Sequence, residues 1–305
     1  DTDPPEYVEP LWRTIQIGDT HIGKGALDGG GTDVIIQRWK DSVNRALECD
    51  YREGIHLAFL GDLIEGQVSQ GGANIAGCDM TLTEQLRVAR HMVAWTINQA
   101  LDVGQRVIVT AVPGNHGETT RQQTRPAHDS YDVDIINAVQ LAFDMTEQAD
   151  RIDWFYPEPG TGHITYKVGD TVFTSVHGHR FRGKMSGAEN WWSGMTVNGR
   201  APGAAQVMLA GHFHSMQVSN FTADKWIMFG PSDGARSGSS CVSMKTPATP
   251  TATAARASTG TNSRWPPLEL PCPPGNCTEW VASNTTGQPV SRITARLRMS
   301  ETRLL

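Results

Sequence analysis

The sequence predicts an α/β fold with a parallel first sheet, and three observations carry that prediction. Runs dominated by β-branched residues, such as Arg106-Val107-Ile108-Val109-Thr110-Ala111-Val112, read as strands buried on both faces. Segments of helical period stand between those runs. Each early strand also ends on a short polar cluster, at the edge where open α/β sheets bind ligands.

Trp12 to Gly18 alternates as a strand and runs into Asp19-Thr20-His21. A carboxylate and an imidazole two residues apart at a strand exit can both reach one ion, although a plain surface turn reads the same way. Thr32 or Asp33 is placed to cap a helix whose apolar residues Ile35, Ile36, Trp39, Val43, Ala46 and Leu47 recur every three or four positions. Ile55 to Leu60 is a second buried strand, ending in Gly61-Asp62, and His56 inside it reads as a core histidine with local partners. After a Gly-rich loop over residues 67–79, Thr81 and Glu84 form a capping box for a long helix that runs to about Asp102 and stops at Gly104. Leu86, Ala89, Val93, Ile97 and Leu101 are its buried stripe. The third strand ends in Pro113-Gly114-Asn115-His116-Gly117-Glu118, and a helix with Val133, Ile136, Val139 and Phe143 inward follows. Right-handed crossovers bring the three strand ends to one edge.

The second half changes period. His163–Val168 and Thr171–Val176 alternate around Gly169-Asp170, a two-residue hairpin turn. The hairpin ends in His177-Gly178-His179, followed by Arg180, Arg182 and Lys184. Trp191 and Trp192 fall in what reads as a polar, Gly-rich connection, either on the rim of a site or packed over the sheet. Val207–Ala210 is a short buried strand leading to Gly211-His212-Phe213-His214, and Met216–Phe221 with Lys225–Phe229 reads as a second hairpin. Residues 245–264 are rich in Thr, Ala, Ser and Pro and show no period. The expected division is a domain over 1–234 and a low-complexity tail over 235–305, disordered or aberrant (a frame-shifted or appended end). Edge strands folding back onto a sheet are the alternative.

With 305 residues the chain can bury a large core. A net charge of −6 argues against a broad basic face for duplex DNA. No apolar run approaches a membrane span. Cys49, Cys78, Cys241, Cys272 and Cys277 offer neither CxxC zinc spacing nor a disulfide framework, which favours an intracellular setting. The first residue is Asp1, so a fragment or a processed form is expected, and a removed leader is compatible with it.

Asp19/His21, Asp62, Asn115/His116, His177 and His212/His214 each follow a predicted strand. Two neighbouring divalent ions need a shared carboxylate and mixed nitrogen and oxygen donors, which this set supplies. In this order, Asp-x-His, Gly-Asp, Gly-Asn-His, His-Gly and Gly-His-x-His resemble the calcineurin-like metallophosphoesterase family, over residues 12 to about 230. The resemblance implies a two-sheet sandwich flanked by helices (αββα), with a dimetal site at the carboxyl ends of the strands. It implies that Asp19, His21 and His214 hold one metal, that Asn115, His177 and His212 hold the other, and that Asp62 bridges them. It gives His116 the role of proton donor to the leaving oxygen, or of stabilising the charge there, and a hydroxide between the metals the role of in-line attack on phosphorus. Manganese is the favoured ion; iron, zinc or magnesium would also suit the donors.

Two departures stand out. Members often carry an acidic residue straight after Gly-Asn-His, where this chain has Gly117 before Glu118. Leu63-Ile64-Glu65 follows Gly61-Asp62 in place of the Asp-Arg pair of the protein serine/threonine phosphatases. The Gly-Asp-Leu-Ile-Glu-Gly form looks more like the DNA-repair exonuclease branch and its bacteriophage relatives. The expected function is a metal-dependent phosphodiesterase or nuclease acting on nucleic acid or nucleotides, with Arg180 and Arg182 holding a substrate phosphate. Its setting would be the cytoplasm, the host's if the chain is phage-encoded, and no oligomeric state is implied. A phosphomonoesterase or cyclic-nucleotide phosphodiesterase would use the same metals in a narrower pocket. A non-catalytic scaffold of this fold predicts eroded ligands, and here every ligand position is intact.

Overall fold

The computed structural model describes residues 11–26, 30–48, 52–120, 126–222 and 224–230, together with strands at 242–247, 277–283 and 289–296. β1 (Leu11–Ile17), β2 (Arg52–Phe59), β3 (Gly104–Ala111) and β4 (Ile152–Phe155) are parallel neighbours in a seven-stranded sheet. Their side chains alternate between two apolar surroundings, as a sheet buried on both faces requires. Ile15, Ile17, Ile55, Leu57, Phe59, Val107 and Val109 pack with helices α1 (Thr32–Leu47), α2 (Leu82–Val103) and α3 (Tyr131–Phe143). Trp12, Ala58, Leu60, Ile108 and Val112 pack instead against a second sheet.

That second sheet has five strands: β5 (His163–Val168), β6 (Thr171–Val176), β7 (Val207–Ala210), β8 (Gln217–Thr222) and β9 (Lys225–Phe229), in the order β5-β6-β7-β9-β8. Ile164, Tyr166, Phe173, Val207, Leu209 and Met228 meet the first sheet. Met208, Ala210, Ile227 and Phe229 are covered by Ala188 and Trp192 of helix α4 (Met185–Val197). The layers are helix, sheet, sheet, helix, the expected αββα arrangement.

Several local expectations hold. The capping box at α2 is present, with the Thr81 N–H donating to Glu84 Oε2 at 2.8 Å, and Gly104 closes the helix. His56 is fully buried between the sheets and bonded to Thr14 Oγ1 at 3.0 Å and Thr110 Oγ1 at 3.1 Å, a satisfied core histidine. Others need correction. Thr32 lies inside α1 rather than capping it, because its hydroxyl donates to Asp79 Oδ1 at 2.6 Å and Gly31 takes the cap position. Residues 185–197 form α4, not a connection, because the burial of Ala188 and Trp192 offsets the weak helix propensity of Gly187 and Gly194. β4 was not anticipated.

β10 (Val242–Pro247), β11 (Cys277–Ser283) and β12 (Pro289–Arg296) continue the first sheet antiparallel from the edge of β1. They fall inside the stretch expected to be a tail, and short β-prone runs such as Trp280-Val281 and Val290-Ser291-Arg292-Ile293-Thr294 account for them. The rest of 235–305 lies outside the described residues, and the division at residue 234 stands as a proposal. Cys49, Cys241 and Cys272 are also outside; Cys78 is a free thiol. No helix among the described residues is long and apolar enough to cross a membrane.

Candidate metal centre

Because β1, β2 and β3 run parallel, as do β6 and β7, their carboxyl ends open onto one edge of the sandwich. The ladder continues past the strands and stitches the loops together. The Asp19 N–H donates to Gly61 O, His21 to Asp62 O, and Gly211 to His177 O, at 3.0, 3.0 and 2.9 Å. The backbone conformation there is costly. Asp19, His21, Asp62, His212 and His214 have φ of 53°, 50°, 53°, 73° and 46°, and the one other described non-glycine residue at positive φ is Gln70. A left-handed non-glycine residue costs roughly 1–3 kcal/mol and persists only where its surroundings enforce it. Such residues gather at working sites.

The structure brings the sequence-predicted residues together in overlapping groups. The donor atoms of Asp19, His21 and His214 lie within 4.8 Å of one another, as do those of Asp62, His177 and His212. A third group, His21, Asp62 and His116, meets the same limit, so Asp62 stands between the two sides. His21 Nε2 faces His214 Nε2 at 3.2 Å, and His214 Nε2 lies 3.5 Å from Asp19 Oδ1. His177 Nε2 lies 2.9 Å from Asp62 Oδ2 and 3.2 Å from Asn115 Oδ1.

At His177 and His21 the opposite ring nitrogens are already engaged. His177 Nδ1 donates to Leu60 O at 2.7 Å, and His21 Nδ1 bonds Glu65 Oε2 at 3.0 Å, leaving each Nε2 to the centre. Partners of this kind fix tautomer and ring orientation in metal sites. His116 Nδ1 donates to Glu65 O at 2.9 Å, with the Glu65 carboxylate 3.4 Å away, and its backbone N–H donates to Asp62 Oδ1 at 2.7 Å. Carboxylate, amide and imidazole donors converging here, with the second nitrogens of His21 and His177 occupied, suit two divalent cations.

No protein-family model matches the chain, and no curated protein matches it. Solved structures do resemble it. Vacuolar protein sorting 29 from Cryptosporidium parvum is 12% identical with a TM-score of 0.42, over 94% of this chain and 98% of that one. A dimetal phosphatase from Danio rerio is 9% identical with a TM-score of 0.46, over 95% and 100%. A predicted phosphoesterase from Streptococcus pneumoniae is 10% identical with a TM-score of 0.39, over 94% and 100%. At these values the likeness transfers no role, and the chemistry rests on the residues themselves.

Without metal, the groups neutralise one another. Burial opposes ionisation of Asp62, yet His177, His116 and His21 hold it well below the usual carboxylate range. Asp19 is lowered too, burial being outweighed by His214 and His177. Burial disfavours charge on His177, but Asp62 and Asp19 raise it to about 10. His116 is raised to about 9, Glu65 and Asp62 overcoming burial. Burial, and then the charge on His177, lower His212 to about 4 and His179 to about 3. A cation arriving here replaces a proton, so binding releases protons.

Arg180 and Arg182 are exposed beyond β6; the Arg180 Nε donates to His179 Nε2 at 3.3 Å, beside His177 and His212. Lys184 reaches Ser215 Oγ at 3.4 Å. Trp192 is fully buried with its Nε1 donating to Pro202 O at 2.6 Å, so it forms no rim, and half-buried Trp191 packs on Phe181 and His163.

Two residues were missed from sequence. Glu65 is 5% exposed and holds His21 and His116; a carboxylate three residues after Asp62 within an apolar stretch was the available signal. Asp132 is 1% exposed and accepts from the N–H groups of Asp62, Leu63 and Gly114. Burial and the neighbouring Asp62 raise it to about 6. In sequence it looks like any acid in a helix's first turn.

Proposed function

We propose that the chain is a dimetal phosphoesterase of the calcineurin-like kind that cleaves phosphodiester bonds in nucleic acid or nucleotides. One observation carries this reading: donors as far as 193 residues apart converge on one centre, carried largely on left-handed backbone. Two divalent cations, when bound, lower the pKa of water to generate a nucleophile and offset charge on phosphoryl oxygens. Manganese is the favoured ion.

Asp19, His21 and His214 would hold one cation, Asn115, His177 and His212 the other, and Asp62 would serve both. His116 Nδ1 is tied to Glu65, so Nε2 is the atom left to give a proton to the leaving oxygen. Such assistance is worth roughly a hundred- to ten-thousand-fold in rate. Glu65 keeps that ring turned and balances its charge. Arg180, just past His177, would grip a non-bridging phosphate oxygen, with Arg182 assisting. The Gly-Asp-Leu-Ile-Glu-Gly segment supports the exonuclease-like branch, and the −6 net charge favours short strands or nucleotides over long duplexes.

The test is a panel of single-stranded DNA, RNA, cyclic nucleotides, bis-p-nitrophenyl phosphate and p-nitrophenyl phosphate with added manganese. Hydrolysis of the diester and of oligonucleotides is expected. Preference for the monoester would make the protein a phosphomonoesterase. Two bound metals with no hydrolysis of any member would end the enzymatic reading.

A further inference from the structure

We propose that Asp132 is a positioning residue for the metal centre, and that it supplies from helix α3 a carboxylate for which Gly117 leaves the room. Asp132 Oδ2 accepts from the Asp62 N–H at 3.1 Å and the Gly114 N–H at 2.9 Å, while Oδ1 accepts from the Leu63 N–H at 2.9 Å. One buried carboxylate thus clamps the loop that carries Asp62 to the loop that carries Asn115 and His116. The helix does not need it as a cap, because Ser130 Oγ already accepts from the Asp132 N–H at 3.2 Å.

Gly117 is the other half of the device. It is not among the glycines at positive φ, so its backbone is one that any L-residue adopts. Its missing side chain serves space instead: a Cβ built at residue 117 would run into Asp132 Oδ2, Cγ and Oδ1. The Tyr131 N–H donates to Gly117 O at 2.7 Å, and Glu118 bridges to Ser130, so the start of α3 is pinned against residue 117. A side chain at 117 and the carboxylate at 132 are mutually exclusive occupants of one volume.

The experiment compares Asp132→Asn, Asp132→Ala and the swap Gly117→Asp/Asp132→Ala in the full chain. It reads manganese affinity by titration and backbone hydrogen exchange in peptides spanning 60–66 and 112–118. Asp132→Asn keeps the volume but turns an amide N–H₂ toward backbone donors. It is expected to weaken manganese roughly ten- to a hundred-fold, the scale of losing an outer-shell partner, and to speed exchange in both peptides. The swap is expected to restore both readouts, a rescue that a merely structural role for the Asp132 side chain in α3 would not give. Wild-type affinity and exchange in Asp132→Asn overturns the proposal, and so does a swap no better than Asp132→Ala. If Asp132→Ala does not fold, recovery of folded protein in the swap supports the proposal and failure to recover it overturns it. The metal readout rests on the dimetal reading; should the unaltered chain bind no manganese, that reading fails while the exchange data still decide this one.

Discussion

The two sides of the centre are built differently. At the ends of β2 and β6, the side chains of His177 and Asp62 are 0% and 1% exposed, and His177 is anchored to the Leu60 carbonyl. Past the end of β1 the side chain of Asp19 is 9% exposed, and past β7 that of His214 is 31% exposed. The difference rests on His177 against His214, since His21 in the second half is also buried and Asn115 and His212 in the first are half-buried. Burial strengthens the interaction of a cation with its carboxylate and slows its escape. The half held by His177 should therefore keep its ion more tightly than the half held by His214.

Asp62 belongs to both halves, so its loss should erase the difference between them. Asp62→Asn keeps the volume but removes the shared charge. Both ions should weaken and turnover should fall by roughly four orders of magnitude, the scale of disabling a central catalytic group. Metal analysis and single-turnover kinetics check this, and near-normal metal content would remove Asp62 from the shared position. His116→Asn should spare the metals in both halves and lower turnover by about a hundred- to ten-thousand-fold, less so on esters with very good leaving groups. A loss uniform across leaving groups would assign His116 to positioning.

The contrast itself is measured by His177→Asn against His214→Asn. The first leaves Asp62 buried without its partner and should cost metal affinity at least about ten-fold more, or about 1.4 kcal/mol, than the second. Chelator competition reads the gap, and equal losses would show that burial does not rank the halves.

The smallest effect on the centre comes from the sheet interface beneath it. Burial lowers His56 to about 3. The unfolded chain, with an ordinary histidine near 6.5, binds more protons between those values, so this contribution is complete above about pH 6.5 and is lost as pH falls toward 3. His56→Gln should flatten the decline in stability by about 1.4 kcal/mol per pH unit over that window, with metal content at pH 7 unchanged. Urea unfolding at pH 5 and pH 7 tests it, and an unaltered slope would show that His56 is not the neutral core group assigned here.

What the sequence disclosed follows the same division between side chains and main chain. The strands were readable because Ile55-His56-Leu57-Ala58-Phe59-Leu60 and Val107-Ile108-Val109 carry their burial in their own composition. The donors were readable because Asp19, His21 and Asn115 announce their chemistry by residue type at a strand exit. Asp132 was not, because its partners are three backbone N–H groups that no residue type marks. Helix α4 was hidden for a related reason: its glycines argue against a helix until Trp192 finds the outer face of the second sheet. β10 to β12 were hidden because residues 248–276, rich in Thr, Ala and Pro, separate β10 from β11 and show no period, so their pairing partners were not apparent.

The claim that these donors form one two-ion centre is tested most directly by titrating metal-free protein with manganese while following its paramagnetic resonance. Two equivalents should bind in sequence, the first without coupling and the second producing a spin-coupled pair, as ions sharing the Asp62 carboxylate require. Saturation at one equivalent, or two equivalents that stay magnetically independent, would contradict the account.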